Sequence, residues 1–480
     1  CLMNFKTTSR VMTILVMLAL VFSLFTPTGQ AAPTNAPTVP VSFTILHTND
    51  FHGQLQEVLA GSGGGSSNPG MARVATIVNN VRTAVGASNV ILVDAGDEMQ
   101  GSLLSNLGDG TPTGKGKPTI DVFNGMTYNV ATFGNHEFDW GQTVLGARTT
   151  QATYPYVTAN IVVNNTGDCA TAGWTLPAFA DNPYEIITIG SGADAVKVAF
   201  IGVTSPETPT ITIATATAGL CFKDPSEAIQ YHYNAMMAAG ANVIVVLSHI
   251  GFDDGGYGYG IPIYGDKTLA QKLIDAGKPV NLIIGGHSHS NLSSATTIGS
   301  TKVVQAHYNG RKVGRADITV GTDGSVTVNW TRLVVCAADN TTADCPGGAT
   351  LEDPTIKGII TAAASDPTYQ ALINTEIGYT NVAITRDYNG DSLMGYFVND
   401  AIYGDLNTDG TTANDVDMVF NNAGGLRADI TCGAYPCLMT YGMTFNVLPF
   451  GNQTIVGDMT GAKILELLHQ SATLFKGAIQ

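Results

Sequence analysis

The chain has 480 residues, which is enough for two domains with full hydrophobic cores. Charged residues make up only 12% of it and 55 residues are glycine, which excludes a coiled coil and a chain that lacks a packed core. The formal net charge of −16 argues against a nucleic-acid polymer or an anionic membrane as partner, since both bind clustered Lys and Arg.

The first residues have the pattern of a secretory signal. Lys6 and Arg10 precede the apolar run Val11–Phe25, which is too short for a comfortable membrane span. We therefore expect a signal peptide at 1–31 and a linker at 32–40. The mature chain is expected to be exported to the periplasm, the cell surface or the exterior, and to contain no membrane span.

Cysteine usage fits an exported protein. If Cys1 is set aside, six cysteines remain, and an even number favours disulfides. Free buried thiols are the alternative. The expected pairs are Cys336–Cys345 and Cys432–Cys437, each around a short turn, and Cys169–Cys221 by elimination.

Five apolar runs along the chain each end in polar side chains. Their continuous apolarity indicates strands that are buried on both faces. Helix-like segments lie between them, such as 71–85 and 225–240, so the order predicts a layered α/β domain. The runs are VSFTIL from Val41, NVILV from Asn89, YNVATF from Tyr128, NVIVVL from Asn242 and VNLII from Val280.

The polar residues after these runs are candidate metal ligands. In α/β sheets, ligands bind beyond the carboxyl ends of the strands, so five distant segments can converge there. Two neighbouring divalent cations need a bridging carboxylate, for which Asp97 is the natural candidate, together with imidazoles and oxygens. Taken singly, each cluster is more typical of a polar turn. The candidates are Asp50, His52, Asp97, Asn135, His249, His287 and His289.

Five motifs carry a family resemblance. ILHTNDFHG, DAGDEMQGS, GNHEFDWG, SHIG and GGHSHS, in this order, resemble the calcineurin-like metallophosphoesterase domain of the 5′-nucleotidase family. The resemblance implies a four-layer α/β/β/α sandwich over 41–335, followed by a linker and connecting helix over 336–371. It also implies one metal held by Asp50, His52, Asp97 and His289, and a second held by Asp97, Asn135, His249 and His287.

The same resemblance gives roles to the rest of GNHEFDWG. His136 would face the substrate phosphate and stabilise its developing charge, while Asp139 would hydrogen-bond that imidazole and keep it cationic. Glu137 and Trp140 are expected to be structural.

The segment 372–480 resembles the α+β substrate-binding domain of the same family. The resemblance implies phosphate contacts from Arg386 and a nucleobase stacked on Phe450 of NVLPFGNQ. Relatives continue well past this point, so we expect the domain to be incomplete. The N-x-G-G-[IL]-R signature is matched by Asn422, Gly424, Gly425, Leu426 and Arg427.

A calcium loop is a weaker alternative in this half. Asp405, Asn407 and Asp409 followed by Gly410 resemble its start, but Val416 stands where a bidentate acid is required. A polar loop is the favoured interpretation.

The resulting hypothesis is an exported 5′-nucleotidase. Two divalent ions, Zn, Mn or similar, would activate a hydroxide that releases phosphate from nucleoside 5′-monophosphates. A 2′,3′-cyclic-nucleotide 2′-phosphodiesterase/3′-nucleotidase or a UDP-sugar hydrolase remains open, since the C-terminal domain sets specificity. A surface binding or adhesion protein with a vestigial metal site is an alternative of another class.

Overall fold

The computed structural model describes residues 36–59, 67–255, 263–340, 342–388, 390–408, 410, 415–472 and 479. The expected signal peptide, the start of the expected linker and most of the Gly/Ser-rich stretch 61–70 lie outside these ranges. Within them, no helix is both long and apolar enough to span a bilayer.

The strands follow one another in this order: β1 Val41–Thr48, β2 Val90–Asp94, β3 Val130–Thr132, β4 Tyr156–Val157, β5 Ile161–Val163, β6 Tyr184–Ile189, β7 Val196–Thr204, β8 Leu220–Phe222, β9 Val243–His249, β10 Leu282–Gly285, β11 Thr296–Ile298, β12 Thr301–Val304, β13 Lys312–Val320, β14 Val326–Val334, β15 Glu376–Thr380 and β16 Cys437–Thr440.

The helices are α1 Met71–Val85, α2 Leu103–Leu107, α3 Lys117–Met126, α4 Gly141–Gln151, α5 Thr208–Ile211, α6 Pro225–Ala238, α7 Asp266–Asp275, α8 Pro354–Ala364, α9 Pro367–Ile373, α10 Leu393–Thr408, α11 Tyr441–Val447 and α12 Gly461–Ser471.

Two six-stranded sheets form the centre of the first domain. One has the order β14-β13-β1-β2-β3-β4 and the other β11-β12-β10-β9-β7-β6. The strands β1 to β4 run parallel, as do β7, β9, β10 and β12. The pairs β1–β13, β13–β14, β11–β12 and β6–β7 are antiparallel. The carboxyl ends of the parallel strands of each sheet therefore lie at one edge.

Alternate residues of each strand enter different cores, which explains the continuous apolar runs. Ile91 and Val93 pack between the two sheets, whereas Leu92 packs under the helices of the first sheet. In the second sheet, Val245 faces the inter-sheet core and Ile244 faces α6 and α7. Helix, sheet, sheet and helix form four layers, so the predicted α/β/β/α sandwich is confirmed.

Helix α8 lies within the sequence EDPTIKGIITAAASDP, where the connecting helix is expected. Asp353 caps its first turn by accepting from the N–H groups of Thr355 and Ile356, each at 3.0 Å. Ile356 and Ile360 pack into the core of the first domain, so the helix is anchored on that domain.

The C-terminal region has its own small core beneath the antiparallel pair β15–β16 and helix α10. This mixture is α+β, as the resemblance implied. The core is formed by Ile384, Met394, Val398, Leu426, Ala428, Ile430, Met439 and Val447.

All three predicted disulfides are present. Asp405 and Asn407 belong to the last turns of α10, so both the calcium loop and the favoured polar loop are wrong at these positions. The side chain of Asn407 is also engaged, since its Oδ1 accepts from Val416 N–H at 2.7 Å. Asp409 lies outside the described residues.

Candidate metal centre and substrate pocket

The seven predicted ligands come together at the carboxyl ends of five strands drawn from both sheets. Strands β1, β2 and β3 lead into the ligands of the first sheet, and β9 and β10 into those of the second. Three sets of acidic and imidazole side chains have ligand atoms within 4.8 Å of one another and could hold a metal ion: Asp50–His52–His289, Asp97–His249–His287 and His52–Asp97–His136. The seven side chains lie together as the strand ends predicted, and their action as metal ligands stays a prediction.

Five of the predicted ligands have a left-handed backbone conformation, with positive φ. A positive φ is uncommon for residues other than glycine and tends to persist at functional sites. The tight left-handed turns let two ligands of one loop point to the same side. The ligands with this backbone are Asp50 at 49°, His52 at 54°, Asp97 at 59°, His287 at 72° and His289 at 53°.

The first group is formed around Asp50. His289 Nε2 lies 3.4 Å from Asp50 Oδ1 and 3.1 Å from His52 Nε2. The other ring nitrogen of His52 donates to the Gln100 carbonyl at 3.1 Å, so His52 Nε2 carries a lone pair when the ring is neutral. Burial lowers the pKa of His52 to about 3, which keeps the ring in the form that binds metals.

The second group is formed around Asp97. His249 Nε2 lies 3.0 Å from Asp97 Oδ2 and 3.8 Å from Asp50 Oδ1. His287 Nδ1 lies 2.9 Å from the amide oxygen of Asn135. Asp97 also lies within 4.8 Å of His52 of the first group, so it is close to ligands of both groups, as a bridging carboxylate must be.

The donor set fits divalent cations. His249 Nε2 is buried between two carboxylates, 3.0 Å from Asp97 Oδ2 and 3.8 Å from Asp50 Oδ1. Burial opposes a charge on His249, yet Asp97 and Asp50 raise its pKa to about 10, so the space between these carboxylates favours positive charge. Mixed imidazole, amide and carboxylate ligands suit Zn, Mn or Fe.

His136 lies beside the ligands on a 3₁₀ turn, and its ring is held by Asp139. The Nδ1–H donates to Asp139 Oδ2 at 2.6 Å, and Thr212 Oγ1 donates to the other oxygen at 2.7 Å. Burial disfavours the charged ring, but Asp139 and then Asp97 outweigh it and raise the pKa of His136 to about 9. His136 also belongs to the set with His52 and Asp97 that could hold a metal ion, so its action on the substrate stays a prediction.

Glu137 has a structural position, as expected. Its buried carboxylate accepts from the N–H groups of Asp97, Glu98 and Gly134 at 2.9, 2.8 and 2.7 Å. It therefore joins the loop after β2 to the loop after β3. Without Glu137, the loops that carry Asp97 and Asn135 would lose the hydrogen bonds that join them.

A cavity of about 440 Å³ opens beside the metal centre and is lined by both domains. His52 and His289 form its wall on the metal side, and Arg386, Arg427 and Phe450 line it from the C-terminal domain. Arg386 is held in place, since its Nε donates to Asp429 Oδ1 at 2.9 Å. The cavity is thus continuous from the predicted ligands to the predicted substrate-binding residues.

Phe450 stacks on His136 rather than standing free. The ring centroids are 4.9 Å apart with an interplanar angle of 11°, and the Arg427 guanidinium lies 5.2 Å from the centre of the Phe450 ring. Gln100 and Asn106 donate to the carbonyl of Pro449, at 3.0 and 2.9 Å, which fixes this loop to the first domain. Stacking of a nucleobase on Phe450 stays a prediction.

The remaining signature residues form the turn that carries Arg427. Asn422 precedes a 3₁₀ turn over Ala423–Gly425, and the carbonyl of Gly424 accepts from Arg427 Nη1 at 3.3 Å. Asn422 Oδ1 lies 2.9 Å from where a Cβ on Gly425 would be, so that position leaves little room for a side chain.

Sequence reasoning missed three residues around the site. Tyr308 stacks on His289 with ring centroids 4.6 Å apart, and Arg311 lies over Tyr308 at 4.3 Å. Both line the cavity. Glu207, buried after β7, lies 3.5 Å from His287. The sequence VTSPETPT has a polar residue after an apolar run, the same signal that identified the other five strand ends.

The two-sheet sandwich with an Asp/His cluster at its strand ends defines a metallophosphoesterase type of domain. The calcineurin-like phosphoesterase family model matches residues 43–291, a little over half of the chain, and the model of the 5′-nucleotidase C-terminal domain matches residues 370–478. The chain belongs to the calcineurin-like phosphoesterase family and carries a 5′-nucleotidase C-terminal domain.

Individual relatives agree with this assignment. The chain is 32% identical to the cell wall protein Lmo0130 of Listeria monocytogenes over 97% of its own length and 60% of that protein. It is 30% identical to the trifunctional nucleotide phosphoesterase protein YfkN of Bacillus subtilis over 89% of its length and 27% of that protein. It thus spans less than two thirds of either.

A solved structure shares the fold. The 5′-nucleotidase precursor of Thermus thermophilus superposes with a TM-score of 0.68 at 27% identity, which covers 92% of this chain and 81% of that one.

Proposed function

We propose that this protein is an exported phosphohydrolase of the 5′-nucleotidase type that releases phosphate from nucleoside 5′-monophosphates. The observation that carries the proposal is one cavity that joins the cluster of predicted ligands to Arg386 and Arg427 of the C-terminal domain. A phosphate next to cations and arginines, with a nucleoside toward the C-terminal domain, matches this distribution of charge.

Asp50, His52, Asp97 and His289 would hold one divalent ion, and Asp97, Asn135, His249 and His287 the other. When bound, such ions polarise a phosphoryl oxygen and lower the pKa of water so that it can act as the nucleophile. The chain contributes a rigid ligand set, since Glu137 joins the loops of Asp97 and Asn135. Rigid ligands reduce reorganisation during the reaction.

His136 is suited to stabilise charge on the substrate. Its Nδ1–H is engaged by Asp139, so the Nε2–H of the charged ring is left to donate to a phosphoryl or leaving oxygen. Phe450 covers one face of the ring and limits the approach of water from that side. In phosphoryl transfer such positioned donors neutralise charge that is spread over the transferring group.

Arg386 and Arg427 would bind the phosphate oxygens. A guanidinium has five N–H donors in a planar fork and suits bidentate contact with phosphate. The pairing of Arg386 with Asp429 fixes its orientation before substrate arrives. Asn422, Gly424 and Gly425 would shape the turn next to Arg427, and Phe450 would stack on the base if it turns away from His136.

The test is hydrolysis of AMP by the purified protein supplied with Mn²⁺ or Zn²⁺. We expect phosphate release by the wild type and none above background by Asp97→Asn or His136→Ala. Asp121→Asn, which alters a surface ion pair with Lys117, is the matched control and should retain full activity. Undiminished turnover by Asp97→Asn would refute the mechanism.

The same assay separates the alternatives. A panel containing AMP, 2′,3′-cyclic AMP, 3′-AMP and UDP-glucose distinguishes a 5′-nucleotidase from a cyclic phosphodiesterase and from a UDP-sugar hydrolase. Phe450→Ala should raise KM for AMP more than for phosphate esters without a base. Stoichiometric metal without hydrolysis of any ester would favour a binding protein. N-terminal sequencing of secreted protein tests export and cleavage near residue 31.

A further inference from the structure

A buried carboxylate lies beside the ligand cluster at a strand end for which no ligand was predicted. Glu207 follows β7, and it is 1% exposed. The turn that carries it is tied to the centre, because Ser205 N–H donates to the His249 carbonyl at 3.0 Å. Thr208 Oγ1 donates in turn to the Ser205 carbonyl at 2.7 Å. Glu207 is thus held in a fixed position close to the histidines.

The carboxylate faces one nitrogen of His287. Glu207 Oε1 lies 3.5 Å from His287 Nε2 and has no hydrogen-bond partner among the described residues. Burial of a carboxylate oxygen is costly unless a donor or a positive charge compensates for it. The imidazole of His287 is the group that occupies this position.

The other buried imidazoles of the centre show a common arrangement. His52 and His249 each have one nitrogen directed to the other ligands, while Nδ1 donates to a backbone carbonyl, of Gln100 at 3.1 Å and of Ala95 at 2.7 Å. In His287 the orientation is reversed: Nδ1 lies 2.9 Å from Asn135 Oδ1, and Nε2 is directed to Glu207. Glu207 takes the place that a carbonyl has at the other two rings.

We propose that Glu207 is a positioning residue of the metal centre, which accepts the Nε2–H of His287 and directs Nδ1 toward the ion shared with Asn135. A carboxylate that accepts from the outer nitrogen of a ligating histidine sets its tautomer and orientation and increases its basicity as a ligand. Glu207 does not touch the substrate in this arrangement. The inference rests on the metal centre of the proposed function, but not on the identity of the substrate.

Glu207→Gln tests the proposal, because it keeps the size of the side chain and removes its charge. The exposed Glu227→Gln is the matched control. Each purified variant of this chain is loaded with Co²⁺ against a competing chelator, and both bound Co²⁺ and its visible absorption are measured. We expect Glu207→Gln to bind the ion held by His287 about 10- to 100-fold more weakly, with an altered absorption band. Glu227→Gln should match the wild type.

The outcomes separate positioning from a purely structural role. Wild-type Co²⁺ affinity and spectrum in Glu207→Gln would overturn the proposal, and so would a lower melting temperature of the metal-free variant with unchanged Co²⁺ affinity. If the wild type binds Co²⁺ and Glu207→Gln binds it weakly, but neither hydrolyses any phosphate ester, the proposal stands and the proposed function fails. A wild type that binds no Co²⁺ would overturn both.

Discussion

At the scale of single residues, the site is organised by partners that lie behind the ligands. Backbone carbonyls hold His52 and His249, and carboxylates face His136 and His287. These contacts orient each ring before any ion or substrate binds, which is what a preorganised site requires. A change behind a ligand should therefore alter function without unfolding the protein.

Asp139→Asn tests whether the orientation of the His136 ring by its carboxylate partner matters for function. The asparagine keeps an oxygen for Thr212 but loses the charge that faces the imidazole, so His136 is oriented less firmly and is less readily charged. We expect kcat for AMP to fall by about 10²-fold, with a much smaller change in KM. Steady-state kinetics measure both, with Asp121→Asn as the control. A kcat equal to that of the wild type would contradict the role of Asp139.

A second residue-scale prediction concerns His47 and stability. This histidine is fully buried in β1, accepts from Trp330 Nε1 at 3.0 Å, and has its pKa lowered to about 3 by burial. The unfolded chain takes up a proton near pH 6.5, whereas the folded chain does not. Stability from the neutral ring is therefore present above pH 6.5 and is lost as the pH falls toward 3.

The expected loss from this residue at pH 5 is about 2 kcal/mol of unfolding free energy. Urea unfolding in EDTA at pH 7 and pH 5, followed by tryptophan fluorescence, should show a smaller pH dependence for His47→Gln than for the wild type. Between pH 7 and 8.5 the two should respond to pH alike, since the ring is neutral in both states. Equal slopes below pH 6.5 would exclude this contribution.

At the scale of elements, the loops at the strand ends can approach one another closely because a glycine stands where they meet. A Cβ on Gly286 would lie 2.7 Å from His249 Nδ1 and 2.8 Å from the Ala95 carbonyl. These two atoms form the hydrogen bond that orients His249. The loops after β2, β9 and β10 can therefore meet only if position 286 has no side chain.

Gly286→Ala should displace the His249 ring from its partner. We expect at least 10-fold weaker binding of the ion held by His249, with secondary structure retained. Gly146→Ala in α4 is the control, because a Cβ there meets no atom within 4 Å and alanine favours a helix. Calorimetric Zn²⁺ titration measures the effect. Unchanged Zn²⁺ affinity in Gly286→Ala would contradict this prediction, because it would show that the loops can shift to accommodate a Cβ.

At the scale of the whole molecule, the two domains meet over the site. The loop of Pro449 and Phe450 contacts Gln100, Asn106 and His136 of the first domain. The first domain alone presents the ligand cluster, and the arginines reach it only in the assembled chain. In the proposed function, metal binding would depend on the first domain and substrate binding on both domains.

Metal removal should destabilise the molecule as a whole. Asp50 and Asp97 are buried near one another, and bound cations would relieve their repulsion and stabilise the left-handed turns. At 100 times Kd, an ion adds about 2.7 kcal/mol to the stability of the folded state. We expect EDTA to abolish activity and to lower the melting temperature by several degrees, reversibly on addition of Zn²⁺. Asp97→Asn should show a much smaller shift, and an unchanged wild-type melting temperature would contradict a structural contribution.

The sequence by itself determined the layered fold and the ligand candidates. Runs such as NVIVVL are apolar on both faces, which requires two cores, and a polar residue directly after such a run must lie at the sheet edge. Both properties are local, so they can be recognised along the chain. The three disulfide pairs were inferred in the same way, from spacing and count.

The tertiary structure alone decided which side chains face one another across long separations. Nothing in the sequence pairs Glu207 with His287, stacks Phe450 on His136 or sets Tyr308 against His289, because each contact depends on how separate loops pack. Ring orientation and burial, and with them the pKa of His136 and His47, follow from that packing. A local pattern specifies which residues reach the edge of a sheet, whereas the opposing loop determines what they meet there.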